Sequence, residues 1–100
     1  MLTVDIGNTH IKWALWNDAR ISRTGCSVYS EQQPETVFAT WNDMRPEKRV
    51  IVACVAAASV EQALNNWMQL HWSTVPEFLR STAKLNGVIN AYADPSQYGV

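Results

Sequence analysis

Residues 50–55 are Val50, Ile51, Val52, Ala53, Cys54 and Val55, apolar at every position. A short apolar run bounded by polar residues fits a strand covered on both faces, as at the parallel centre of an α/β sheet. The rest of the chain must then supply a layer on each side of it. Extended to Ala58, the stretch is nine residues long, far below the roughly 20 needed to cross a bilayer. Residues 50–55 are expected to be core, and no membrane span is expected.

The segments around it carry their own periods. Leu2, Val4 and Ile6 alternate with Met1, Thr3 and Asp5, the period of a strand. Gly7 and Asn8, residues that tolerate positive φ, predict a turn. A second alternating run follows, with Ile11, Trp13 and Leu15 set against Lys12, Ala14 and Trp16. Asn17-Asp18 predicts another turn, and residues 20–28 return as a third strand with Gly25 as its expected bulge or bend. Beyond it, Pro34 suits a first helical turn, and Val37, Phe38, Trp41 and Met44 recur at the spacing of one helical face that ends before Pro46. Ser59 is expected to cap a second helix with an inward stripe of Val60, Leu64, Trp67, Met68 and His71. A last strand is expected over 75–79, with Pro76 at its start or on an edge. The order is βββαβαβ in one unit without repeats or linkers. Residues 86–100, with Asn-Gly, Asp-Pro and a late Gly, read as an irregular segment with turns.

Composition narrows the function classes. A chain of 100 residues with 47% apolar and 17% charged residues has enough apolar surface for a core. Its net charge of -1 arises from scattered residues, which gives no footprint for nucleic acid or an anionic bilayer. The amino end lacks the layout of a secretory signal, so a cytoplasmic location is expected. Cys26 and Cys54 have no CxxC spacing and no neighbouring histidine, and are expected to be reduced, buried thiols. Most of the five tryptophans are expected to be core or subunit-contact anchors. The usual Walker, GxGxxG, HExxH and GxSxG patterns are absent from the sequence.

What remains is the stretch 5–12: a carboxylate, Asp5, at the end of a strand, a tight turn of small polar residues, then Lys12. A hard divalent cation keeps several waters, so one carboxylate can hold it against nucleotide phosphates. The amides of a turn can point at phosphate oxygens as a nest does, with Gly7 allowing close approach and Asn8, Thr9 and Lys12 adding donors. The bland alternative is a hairpin in which Asp5 caps the turn and Lys12 is solvated. Against it, a carboxylate in an otherwise apolar strand is unfavourable without a cation or donors. Three antiparallel strands followed by αβαβ also turn that first bend toward a nucleotide cleft.

Residues 5–12 resemble the first phosphate loop of the acetate-and-sugar-kinase, heat-shock and actin superfamily. Residues 92–99, from Tyr92 through Asp94, Pro95 and Tyr98 to Gly99, resemble the substrate segment of type III pantothenate kinases, a family that includes Bvg accessory factors. The resemblance implies an α/β, actin-like ATPase (ribonuclease H-like) fold with a mixed sheet, of which residues 1–100 form the amino-terminal half. It implies ATP-dependent phosphorylation of pantothenate, the first step toward coenzyme A, with Mg²⁺ near Asp5 through water. Gly7, Asn8, Thr9 and His10 would lie along the phosphates, with Ile6 and Ile11 contributing backbone at most. Lys12 matches the branch of the family whose loop ends in lysine. Tyr92 would line the pantothenate pocket, and Gly99-Val100 would begin a Gly-x-Asp-Arg motif.

The base and arginine of that motif would follow Val100, leaving no catalytic residue inside the chain and an inactive piece when alone. A homodimer with a K⁺ or NH₄⁺ site at its interface is implied too. Alternatives remain: a kinase of the same superfamily for another small alcohol, or a non-catalytic regulator that senses nucleotide. His10 either touches phosphate or is a plain turn residue. His71 is expected as a satisfied core or helix-end residue, and Asp94 forms a turn with its own backbone or joins substrate binding.

Overall fold

The computed structural model describes residues 1–80 and 82–93. The expectations for Asp94, Tyr98, Gly99 and Val100 lie outside the described residues. Three antiparallel strands open the chain: β1 (Leu2–Ile6), β2 (His10–Asn17) and β3 (Arg20–Val28). A short helix α1 (Glu35–Phe38) runs into a turn of 3₁₀ helix at Ala39–Trp41. Then follow β4 (Val50–Cys54), α2 (Ala58–Trp72), β5 (Glu77–Leu79) and α3 (Thr82–Ala93). The strands form one mixed sheet in the order β3-β2-β1-β4-β5, with β4 parallel to both β1 and β5.

The all-apolar run is central as expected only as far as Cys54, because Val55 lies past the end of β4 and is 60% exposed. β4 lies between β1 and β5, and Val50, Ile51, Val52 and Ala53 are buried. Side chains of one parity (Leu2, Val4, Ile6, Ile11, Trp13, Val50, Val52) pack against Val37, Phe38, Trp41, Val60, Leu64 and Met68 of the two helical segments. Those of the other parity include Ile51 and Ala53, which meet Leu85, Val88 and Ile89 of α3. Strand alternation thus sorts the sheet into two cores, and Asp5 has the parity of the smaller one. All five tryptophans are buried, more than the sequence led one to expect.

Several local expectations need correction. Among the described residues no glycine has positive φ, so the Gly7-Asn8 bend does not use the left-handed region; Asp18, at φ 56°, does in the β2–β3 loop. Gly25 is not the bulge. It sits in register opposite Trp13, and the ladder slips instead between Leu15 and Trp16, leaving Ser22 extra. The Ser22 hydroxyl donates to the Leu15 carbonyl there, at 3.2 Å. The first helical face is buried as read, but it is split into an α turn and a 3₁₀ turn.

Ser59 is not the cap of α2. Ala57 holds that position and makes no side-chain cap bond. His71 points outward and stacks on Trp67 at 4.6 Å, while Trp72 takes the buried place. β5 starts only at Glu77, after Pro76, and Val75 is exposed. The segment 86–93, expected to be irregular, belongs to α3. Cys26 is exposed and Cys54 half-buried, both free thiols, so the expectation of burial fails for Cys26.

Candidate functional site

β1 is the central strand of the sheet, and Asp5 sits near its carboxyl end with Lys12 of β2 directly opposite and Ala53 of β4 on the other side. The strands bring these residues together because the Ile6–Ile11 pair closes the ladder and leaves Gly7, Asn8 and Thr9 as the connection. The Gly7 amide donates to the His10 carbonyl at 2.9 Å, which ties off the loop. A β-carbon on Gly7 would meet that carbonyl oxygen at an ordinary 3.5 Å, so the glycine is not required by crowding.

The outer side of this bend is an open cavity of about 380 Å³ lined by Asp5, Gly7, Asn8, Thr9, His10, Lys12 and Cys26. A second, smaller cavity of about 180 Å³ lies between the β1–β2 face and α3, against Leu85, Asn86 and Ile89. Asp5 and Lys12 line both. Of the residues named from sequence for phosphate contact, six therefore share one cavity. Ile6 and Ile11 do not, because both are fully buried on the opposite face. Tyr92 lies in the last turn of α3, and only its place in the helix is described. Gly99 and Val100 lie outside the described residues.

Donors and charge in this cavity are available. Among the described residues, neither Asp5 nor Lys12 forms an ion pair. The amides of Asn8 and Thr9 likewise have no partner there. The Thr9 hydroxyl meets Nδ1 of His10 at 2.8 Å. Two unclaimed amides and an ammonium favour an anion, while a single carboxylate beside them suits a hard cation that keeps most of its water and binds through that anion. Among the described residues no group of three or more His, Cys, Asp or Glu side chains gathers to hold a metal alone. The donor set fits a metal–phosphate pair and not an all-protein metal cage.

Two residues of the site were not read from the sequence. Cys26 faces the cavity because the β2–β3 register sets it opposite Lys12. Tyr29, just past β3, braces the bend from behind: its hydroxyl donates to the Gly7 carbonyl at 2.6 Å and its amide to the Thr9 carbonyl at 3.1 Å. Burial raises the Tyr29 phenol above its ordinary value, reinforced by Cys54 and Glu31, so it remains a donor through the neutral range. Extending the meander register by one residue past His10 and Val28 would have pointed to Tyr29.

Among the described residues no helix is long and apolar enough to cross a membrane. A family model for type III pantothenate kinase matches residues 1–100. The chain is 34% identical to a type III pantothenate kinase of Nitrosococcus oceani, covering 100% of this chain and 38% of that protein. It is 31% identical to one from Nitrosospira multiformis, over 99% of this chain and 37% of the relative. For one from Alkalilimnicola ehrlichii the identity is 30%, over 99% and 40% respectively. The chain thus spans about two fifths of the length of these curated relatives.

Proposed function

The chain belongs to the type III pantothenate kinase family, and from that premise we propose that it forms the phosphate-binding, amino-terminal half of an enzyme that phosphorylates pantothenate with ATP. The reaction would be the first step toward coenzyme A. The carrying observation is that Asp5, on the central strand, shares one cavity with Lys12 and with the unclaimed amides of Asn8 and Thr9.

In this reading the Asn8 and Thr9 amides receive phosphate oxygens, the Lys12 ammonium balances their charge, and Asp5 holds the waters of Mg²⁺. When bound, the metal would supply charge neutralisation, and the chain's own groups would orient the phosphates. Phosphoryl transfer depends mostly on such positioning and charge compensation. The smaller cavity beside α3, which shares Asp5 and Lys12, supports placing the acceptor alcohol on that side, toward the helix that carries Tyr92.

The homodimer, its K⁺ or NH₄⁺ requirement and a cytoplasmic location belong to the same proposal and rest on the family alone. So does the expectation that residues 1–100 are inactive by themselves, since a well-placed general base is worth about 10²–10⁴ in rate.

The test is ATP-dependent phosphorylation of pantothenate by the full-length protein, with and without K⁺ or NH₄⁺, for the wild type and Asp5→Ala. Turnover by the wild type and its loss in a folded Asp5→Ala protein are expected. Unchanged turnover in that variant removes the assignment, and a wild type active only on a different alcohol moves it to another kinase of the superfamily.

A further inference from the structure

The backbone of the bend has a fixed polarity. Gly7 C=O and Asn8 N–H belong to one trans peptide plane and point in opposite directions. A hydrogen bond that holds the carbonyl on one side therefore aims the amide at the other. The Tyr29 hydroxyl holds that carbonyl at 2.6 Å, and the Tyr29 backbone amide holds the far end of the bend through the Thr9 carbonyl at 3.1 Å.

The Tyr29 ring is itself anchored. It is half-buried and packs against the larger core. None of its atoms lines the cavity. We propose that Tyr29 is a positioning residue for nucleotide binding: it clamps the two carbonyls of the bend from behind so that the Asn8 amide is presented to phosphate before ATP arrives. The proposal rests on the phosphate reading of the bend.

An amide held in place ahead of binding needs no reorganisation, which is the advantage such donors have over flexible ones. Removing one neutral hydrogen bond that acts only through this orientation should weaken binding by about three- to tenfold. The effect should fall on the nucleotide and not on the acceptor, because the bond reaches the bend and not the α3 cleft.

The experiment is steady-state kinetics of the full-length kinase with Tyr29→Phe, which keeps the ring and removes the donor. The expected result is an ATP KM raised about three- to tenfold with the pantothenate KM within about twofold of wild type. An unchanged ATP KM, or equal rises in both constants, overturns the role given to Tyr29. Asp5→Ala run alongside separates the two ideas: if it still binds ATP normally, the phosphate reading itself fails; if it loses ATP while Tyr29→Phe does not, only Tyr29 is wrongly assigned. Should Tyr29→Phe not fold, amide hydrogen exchange of Tyr29 in the wild type replaces it. By linkage, Mg²⁺-ATP should slow that exchange about threefold or more. Unaltered exchange under saturating nucleotide also overturns the proposal.

Discussion

Gly25 lies across the β2–β3 ladder from Trp13, and the Trp13 indole fills the space a β-carbon at residue 25 would occupy, with ring atoms 2.5 Å from that position. The obstructing ring is no loose surface group: it is buried and meets Trp41 edge-on at 6.1 Å. Gly25→Ala should therefore destabilise the fold by about 1–3 kcal/mol through overpacking. Urea unfolding of the wild type and the variant measures this, and equal midpoints would contradict it.

Trp41 is the centre of the aromatic cluster. It is fully buried, stacks on Phe38 at 5.5 Å and meets Trp67 edge-on at 5.7 Å. Trp41→Ala should cost about 3–5 kcal/mol, on the scale of other large-to-small core changes. Its Nε1 has no hydrogen-bond partner among the described residues, so Trp41→Phe should lose less than Trp41→Ala by a clear margin. Calorimetric unfolding of both variants ranks them, and the reverse order would contradict the packing described.

The two thiols should differ in reactivity. Cys26 is exposed and lines the cavity at the bend, whereas Cys54 is half-buried. Burial pushes the Cys54 thiol above its ordinary value, with Glu61 and Asp5 adding to the rise against opposing effects of the Ala56 backbone and Arg80. Iodoacetamide near neutral pH should label Cys26 at least about tenfold faster, because the thiolate is the reacting form. Saturating Mg²⁺-ATP should slow labelling of Cys26. Peptide mass spectrometry reads both effects, and faster labelling of Cys54 would contradict the burial described.

Stability should weaken in alkali through the same groups. Tyr29 and Cys54 both have raised values in the fold, so folding favours their neutral forms. Their contribution is complete below the ordinary values of 10.0 and 9.0, and is lost as pH rises toward the folded values, because the unfolded chain deprotonates first. Thermal melts across the alkaline range should fall less steeply for Tyr29→Phe with Cys54→Ser than for the wild type. Parallel curves would contradict the assignment.

How much of this was legible in the sequence varies with the kind of signal. The three-stranded opening and β4 were readable because alternation and an unbroken apolar run have few other solutions. The end of the chain misled because Asn86-Gly87 resembles a turn, yet a β-carbon on Gly87 would meet nothing and the pair sits on a helix. The missed signal was Leu85, Val88 and Ile89 at helical spacing, which bury against Ile51 and Ala53 and override the glycine's weak propensity. His71 was placed inward by extending the α2 stripe one position too literally, where the larger Trp72 takes the core. At the candidate site, the grouping of Asp5, Gly7, Asn8, Thr9, His10 and Lys12 around one cavity follows from their being contiguous, while Ile6 and Ile11 turn to the opposite face. Cys26 and Tyr29 arrive through strand register and needed the three-dimensional pairing.

A crystal of the full-length protein with Mg²⁺ and a nonhydrolysable ATP analogue tests the central claim most directly. The β- and γ-phosphates are expected within hydrogen-bond reach of the Asn8 and Thr9 amides, with the metal's waters on the Asp5 carboxylate. Nucleotide bound at another place on the sheet, with the bend between β1 and β2 making no contact to it, would contradict the account.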